Sequence, residues 1–176
     1  KLTSGQVVLR PITIPEGLTM MQIADLMTQQ GVAERDELLQ LMKDRAFIAS
    51  LGIKADNLEG YLYPDTYKFP KSVSAKEVVA TMVEHLKQVY GMELELRTQE
   101  LKMTQHEVLT LASVIEKETG SNGEREEISA VFHNRLKKHI PLQSDPTVIY
   151  GLPNFDGNIH KKDLSIDSPY NTYRFA

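Results

Sequence analysis

Residues 101–120 read LKMTQHEVLTLASVIEKETG, and the rest of the chain can be ordered around them. Thr104 followed three residues later by Glu107 is a capping-box signature. Val108, Leu111, Ala112 and Ile115 then recur at helical spacing, and Gly120 offers a left-handed stop. The spacing predicts a helix over about 105–119. Glu116 stands on the border of its apolar face, near the end where the helix dipole is negative. Against a dry wall of Ala112 and Ile115, a carboxylate there is driven towards its protonated form, as a general acid requires. Lys117 and Glu118 flank it, so the same residue can equally be part of a solvated face. Glu118 projects roughly 200° away around the helix, so the two glutamates do not share a pocket and one of them is ordinary surface.

Composition bounds the rest. The chain has 176 residues, with 20 Lys plus Arg against 24 Asp plus Glu, a net charge of −4. With no long basic run, nucleic acid is not an expected partner. There is no cysteine, so disulfides, thiolate metal sites and thiol nucleophiles are excluded. The five histidines show no metal-ligand spacing, and neither a metal nor another cofactor is expected. No run of 18 apolar residues or signal peptide is present.

From the start, QVVLRPITI at 6–14 predicts a strand, with Pro11 suiting an edge. Leu18–Gln30 predicts a helix closed by Gly31, and residues 35–50 another helix or a pair. LEGYLYPDTY at 58–67 carries three tyrosines, a glycine and a proline, and predicts irregular chain. Tyrosines with polar tips suit sugar rings, and they suit a packing loop equally well. Ser74 and Glu77 form a second capping box, opening a helix to about Tyr90, with residues 92–101 as an extension or connector. SNG at 121–123 predicts a tight joint. Residues 124–138 predict a helix, acidic at its start and basic at its end, that buries Ile128, Val131, Phe132 and Leu136. In PLQSDPTVIYG at 141–151, Asp145 before Pro146 either caps the next turn or belongs to a site.

The runs ASVIEKETG, VFHNRL, PLQSDPTVIYG and SPYNTY, with LEGYLYPDTYKF before them, stand in one order between about 57 and 176. Together they resemble the catalytic domain of the endolytic murein transglycosylase family, MltG or YceG-like. The resemblance implies a peptidoglycan lyase in which one glutamate serves as acid and then base, carried onto Glu116. It makes Glu59, Tyr61, Tyr63, Asp65, Gln143, Ser144, Asp145, Tyr170, Asn171 and Tyr173 candidates for holding the glycan. It also implies an α+β fold dominated by helices and lysozyme-like in character. Residues 1–56 would close a LysM-like module and connect it to a C-terminally shortened catalytic domain at 57–176. The implied partners are glycan strands and, further off, peptidoglycan synthases. The implied location is the extracytoplasmic side of the inner membrane, reached through an anchor outside this sequence. Three other readings remain: a non-catalytic peptidoglycan-binding module, a hydrolase with Asp145 or Glu59 as second carboxylate, and a pyridoxal-phosphate lyase of the aminodeoxychorismate type. The last needs a Schiff-base lysine and a phosphate cradle. No Gly-rich loop is evident, and Lys68 and Lys117 are poor candidates.

Overall fold

The computed structural model describes residues 8–121 and 123–175. It is a helix-dominated α+β structure with one two-stranded sheet, and it divides into two compact units, Lys1–Leu109 and Thr110–Ala176. The division falls inside a helix, and each unit is described separately.

In the first unit, β1 (Leu9–Thr13) pairs antiparallel with β2 (Thr66–Pro70), Leu9 opposite Pro70 and Thr13 opposite Thr66. Residues 6 and 7 of the expected strand lie outside the described residues. Pro11 is tolerated because the sheet has only edges. Residues 1–56 and 57–109 thus share one sheet. Helix α1 (Met20–Gln29) opens with a full capping box, Thr19 with Gln22, and the chain leaves it through Gly31 at φ 67°. The pair expected over 35–50 is α2 (Arg35–Leu41) and α3 (Arg45–Ser50), the second capped by the Asp44 carboxylate. The 58–67 stretch is irregular through Asp65, and its last two residues, Thr66 and Tyr67, belong to β2. Helix α4 (Ala75–Glu100) opens with the Ser74–Glu77 box and absorbs the 92–101 segment across a kink at Gly91, whose φ of 39° interrupts the helix. Met27, Leu38, Met42, Leu58, Val79 and Met82 have no exposed surface and form the centre of the apolar core. Burying side chains of this size contributes about 1.5–3 kcal/mol each.

Helix α5 (Gln105–Glu118) starts at the Thr104–Glu107 box, as its sequence implies. Its end differs from expectation: Gly120 is not left-handed. The buried Thr119 supplies the stop instead. Its hydroxyl donates to Glu124 Oε2 at 2.8 Å and accepts from the Ser121 amide at 2.9 Å. A side chain thus does what a positive φ was expected to do. Asn122 of the expected joint lies outside the described residues.

In the second unit, α6 (Arg125–Lys137) buries only Phe132 fully, with Ile128 half-buried. Val131 and Leu136 are exposed, against expectation. Helix α7 (Asp145–Gly151) has Ser144 at its N-cap and Pro146 in its first turn. A 3₁₀ turn covers Asp163–Ser165. Gly151 is required by close approach, because a Cβ there would run into the Ser168 side chain. Among the described residues of this unit the buried set is Leu111, Phe132 and Val148 against Thr119, Ser144, Ser168 and Asn171. Polar groups so enclosed must be bonded or they destabilise the fold, and their arrangement defines the site.

Candidate active site

The last turn of α5 and the loop before α7 are tied by one bond. Ser144, with no exposed surface, donates its hydroxyl to Glu118 Oε2 at 2.8 Å. The loop is held from the other side by Thr172: the Gln143 amide donates to its carbonyl at 3.0 Å and the Ser144 amide to its Oγ1 at 3.0 Å. Thr147 donates its hydroxyl to the Ser144 carbonyl at 2.7 Å. Its proton being so used, Thr172 is the donor in the 2.8 Å contact between their hydroxyls.

Gln143 has φ 55°, a left-handed conformation that for a residue with a Cβ costs roughly 1–2 kcal/mol. Arg135, from the last turn of α6, grips this strained loop. Its Nη1 donates to the Pro141 carbonyl at 2.8 Å and to Gln143 Oε1 at 2.9 Å. Strain retained under such bracing is a common mark of a functional site.

Asp145 follows, accepting the Tyr173 hydroxyl on Oδ1 at 2.6 Å. That bond pushes the phenol up to about 12, helped by burial and by the charges of Asp145 and Glu118, with Arg135 pulling the other way. At neutral pH Tyr173 is therefore a fixed donor.

Glu116 is situated differently. Arg125 Nη2 lies 3.0 Å from its Oε1 and 2.9 Å from its Oε2. The Glu116 side chain is 29 % exposed, and Ala112, expected to form its dry wall, is exposed too. An arginine partner replaces the apolar wall.

The remaining candidates divide. Asn171, with no exposed surface, is a staple: its Nδ2 donates to the Leu164 and Ile166 carbonyls at 3.1 and 2.8 Å, and its Oδ1 accepts the Tyr173 amide at 3.0 Å. It holds Tyr173 and has no surface for a ligand. Tyr170 is 52 % exposed and meets Tyr150 edge-on, ring centres 4.8 Å apart. In the first unit, Glu59 accepts the Met20 amide on Oε1 at 2.9 Å. Tyr61 is buried, its hydroxyl 2.9 Å from His106 Nδ1. Burial pushes its phenol up. Tyr63 and Asp65 surround His85, by a ring contact of 4.8 Å and a carboxylate contact of 3.4 Å. All four bond within their own unit.

The sequence alone singles out neither Glu118 nor Thr172, and a helical His133–Asn134–Arg135 reads as polar surface or a helix-to-loop tie more readily than as part of a site. The resemblance carries the acid–base role onto Glu116 and leaves Glu118 on the surface, where the residue is indeed exposed while its Oε2 is anchored by Ser144. The only earlier signal was the hydroxyl and carboxylate content of QSDPT.

A family model described as the YceG-like family matches residues 1–176. The chain is 34 % identical over 193 aligned residues to the endolytic murein transglycosylase of Bacillus subtilis (strain 168), covering 99 % of this chain and 52 % of that protein. It is 34 % identical over 196 aligned residues to the endolytic murein transglycosylase of Streptococcus pneumoniae serotype 2, covering 95 % and 35 %. It thus spans about half the length of the first relative and about a third of the second. The crystal structure of the yceG-like protein lmo1499 from Listeria monocytogenes superposes with a TM-score of 0.83 at 38 % identity, covering 94 % of this chain and 60 % of that one. On the match along its whole length, the chain belongs to the YceG-like family.

Proposed function

We propose that this chain carries the catalytic part of a peptidoglycan lytic transglycosylase that uses one glutamate as acid and then base, and that the glutamate is Glu118. The observation that carries this choice is the bond from the buried Ser144 hydroxyl to Glu118 Oε2, beside the Asp145–Tyr173 pair. One carboxylate oxygen is anchored, while Oε1 makes no hydrogen bond among the described residues and is left for proton transfer.

In the protonated state Oε1 gives its proton to the glycosidic oxygen, and the C1–O bond breaks with its electron pair passing to that oxygen. The acetamido group next to C1 stabilises the positive charge that develops. The carboxylate then takes the proton of the ring's own C6 hydroxyl, whose oxygen bonds to C1 and closes a 1,6-anhydro ring. No water is consumed and no second carboxylate is needed, unlike a hydrolytic glycosidase. The relatives' names support the substrate, the glycan of murein, and with it a location outside the cytoplasmic membrane.

Two alternatives have an observation behind them. Glu116 is an ion-paired carboxylate on the same helix and would act if substrate displaced Arg125. Asp145 lies with Glu118 near one phenol and is the candidate second carboxylate of a hydrolase. Mass spectrometry of uncrosslinked glycan strands after incubation separates the outcomes: anhydro-muramic ends support the lytic reading, and reducing ends contradict it.

A further inference from the structure

Gln143 combines three features that the acid–base chemistry leaves unused. It is exposed, it is held at φ 55°, and its side-chain carbonyl is occupied. Arg135 carries only donors, so its Nη1 at 2.9 Å fixes the amide with Oε1 inward. The reverse orientation would set N–H against N–H. Its Nε2 donates to no group among the described residues and so presents N–H donors without a competing acceptor. A side chain locked in this way discriminates sharply: it rewards a ligand's carbonyl oxygen and gives nothing to an N–H or ammonium in the same place.

We infer that Gln143 reads the carbonyl oxygen of a sugar acetamido group, and that Arg135 is the positioning residue that makes it donor-only. The inference deepens the glycan-cleaving function proposed above and rests on it for the substrate class. The backbone strain has a role in this account. The left-handed turn at Gln143 brings its amide within reach of Arg135 while the next residue, Ser144, holds Glu118. The reader of the acetamido group and the anchor of the acid–base residue are therefore adjacent links of one braced loop.

The test is titration calorimetry of the 176-residue chain with an N-acetylglucosamine oligomer and with its N-deacetylated counterpart, with cleavage of glycan strands followed separately. Gln143→Glu keeps the Arg135 partner as an ion pair, so the loop stays braced, but turns the donor into an acceptor. It is expected to weaken binding of the acetylated oligomer by roughly tenfold or more. Gln143→Gly suits the positive φ and removes the amide without adding charge. It is expected to lose a similar factor on the acetylated oligomer and nothing on the deacetylated one. Arg135→Gln frees the Gln143 amide to turn and is expected to narrow the preference for the acetylated oligomer. Wild-type affinity in Gln143→Glu, equal losses on both oligomers in Gln143→Gly, or no acetyl preference in the wild type would overturn the inference. A wild type that keeps the acetyl preference but cleaves nothing would sustain the role of Gln143 and remove the lytic reading.

Discussion

The Ser144 hydroxyl stands 2.8 Å from Glu118 Oε2, across 26 residues of sequence, and joins the last turn of α5 to the N-cap of α7. Because Ser144 is fully buried, the bond fixes one carboxylate oxygen without offering the hydroxyl to substrate. Ser144→Ala removes the donor and leaves Glu118 to choose its own rotamer. The expected result is a stability loss of about 1 kcal/mol in urea unfolding and a cleavage rate that falls by more than this loss explains. A variant that keeps the wild-type rate would show that Glu118 needs no anchor.

Asn171 is expected to behave as a structural residue. Asn171→Ala strands the Leu164 carbonyl and the Tyr173 amide and removes one of two donors to the Ile166 carbonyl, which keeps the Ser168 amide. Leaving buried polar groups unpaired predicts a loss of about 2–4 kcal/mol in denaturant unfolding. A loss of glycan binding at unchanged stability would instead make it a contact residue.

Alkaline stability follows from Tyr173. Its folded value near 12 lies above the ordinary 10, so the neutral phenol is favoured by the fold. The contribution is complete below pH 10 and disappears as pH rises from 10 to about 12. Tyr173→Phe should flatten that part of the pH–stability curve, measured by thermal unfolding. An unchanged slope would mean that the Asp145 bond is not maintained in solution.

At the acid end the two capping boxes act with the opposite sign. Glu77 and Glu107 are held below their ordinary 4.5, mainly by the Ser74 and Thr104 backbone amides and then by those residues' hydroxyls. Their contribution is present above pH 4.5 and is lost as pH falls through the lowered values. Glu77→Gln and Glu107→Gln should each reduce the acid sensitivity of unfolding.

The helices were legible because their signals are local. Ser74 with Glu77 and Thr104 with Glu107 each lie within four residues, and the apolar spacing of α4 and α5 follows directly from them. Strand β2 was missed because TYKFP is five residues long and its partner lies more than fifty residues away, at Leu9–Thr13. The partners of Glu116 and Glu118 were illegible for a similar reason. Periodicity reports which side of a helix is apolar, whereas Arg125 beside one residue and Ser144 beside the other come from outside the helix. Gly120 looked like a helix stop by composition, but the Thr119 hydroxyl closed α5 first.

The most direct measurement is the product analysis of glycan strands incubated with the wild type, Glu118→Gln and Glu116→Gln side by side. The account predicts 1,6-anhydro ends from the wild type, their loss by several orders of magnitude in Glu118→Gln, and continued cleavage in Glu116→Gln. Anhydro ends from Glu118→Gln at the wild-type rate, with none from Glu116→Gln, would contradict it and return the acid–base role to Glu116.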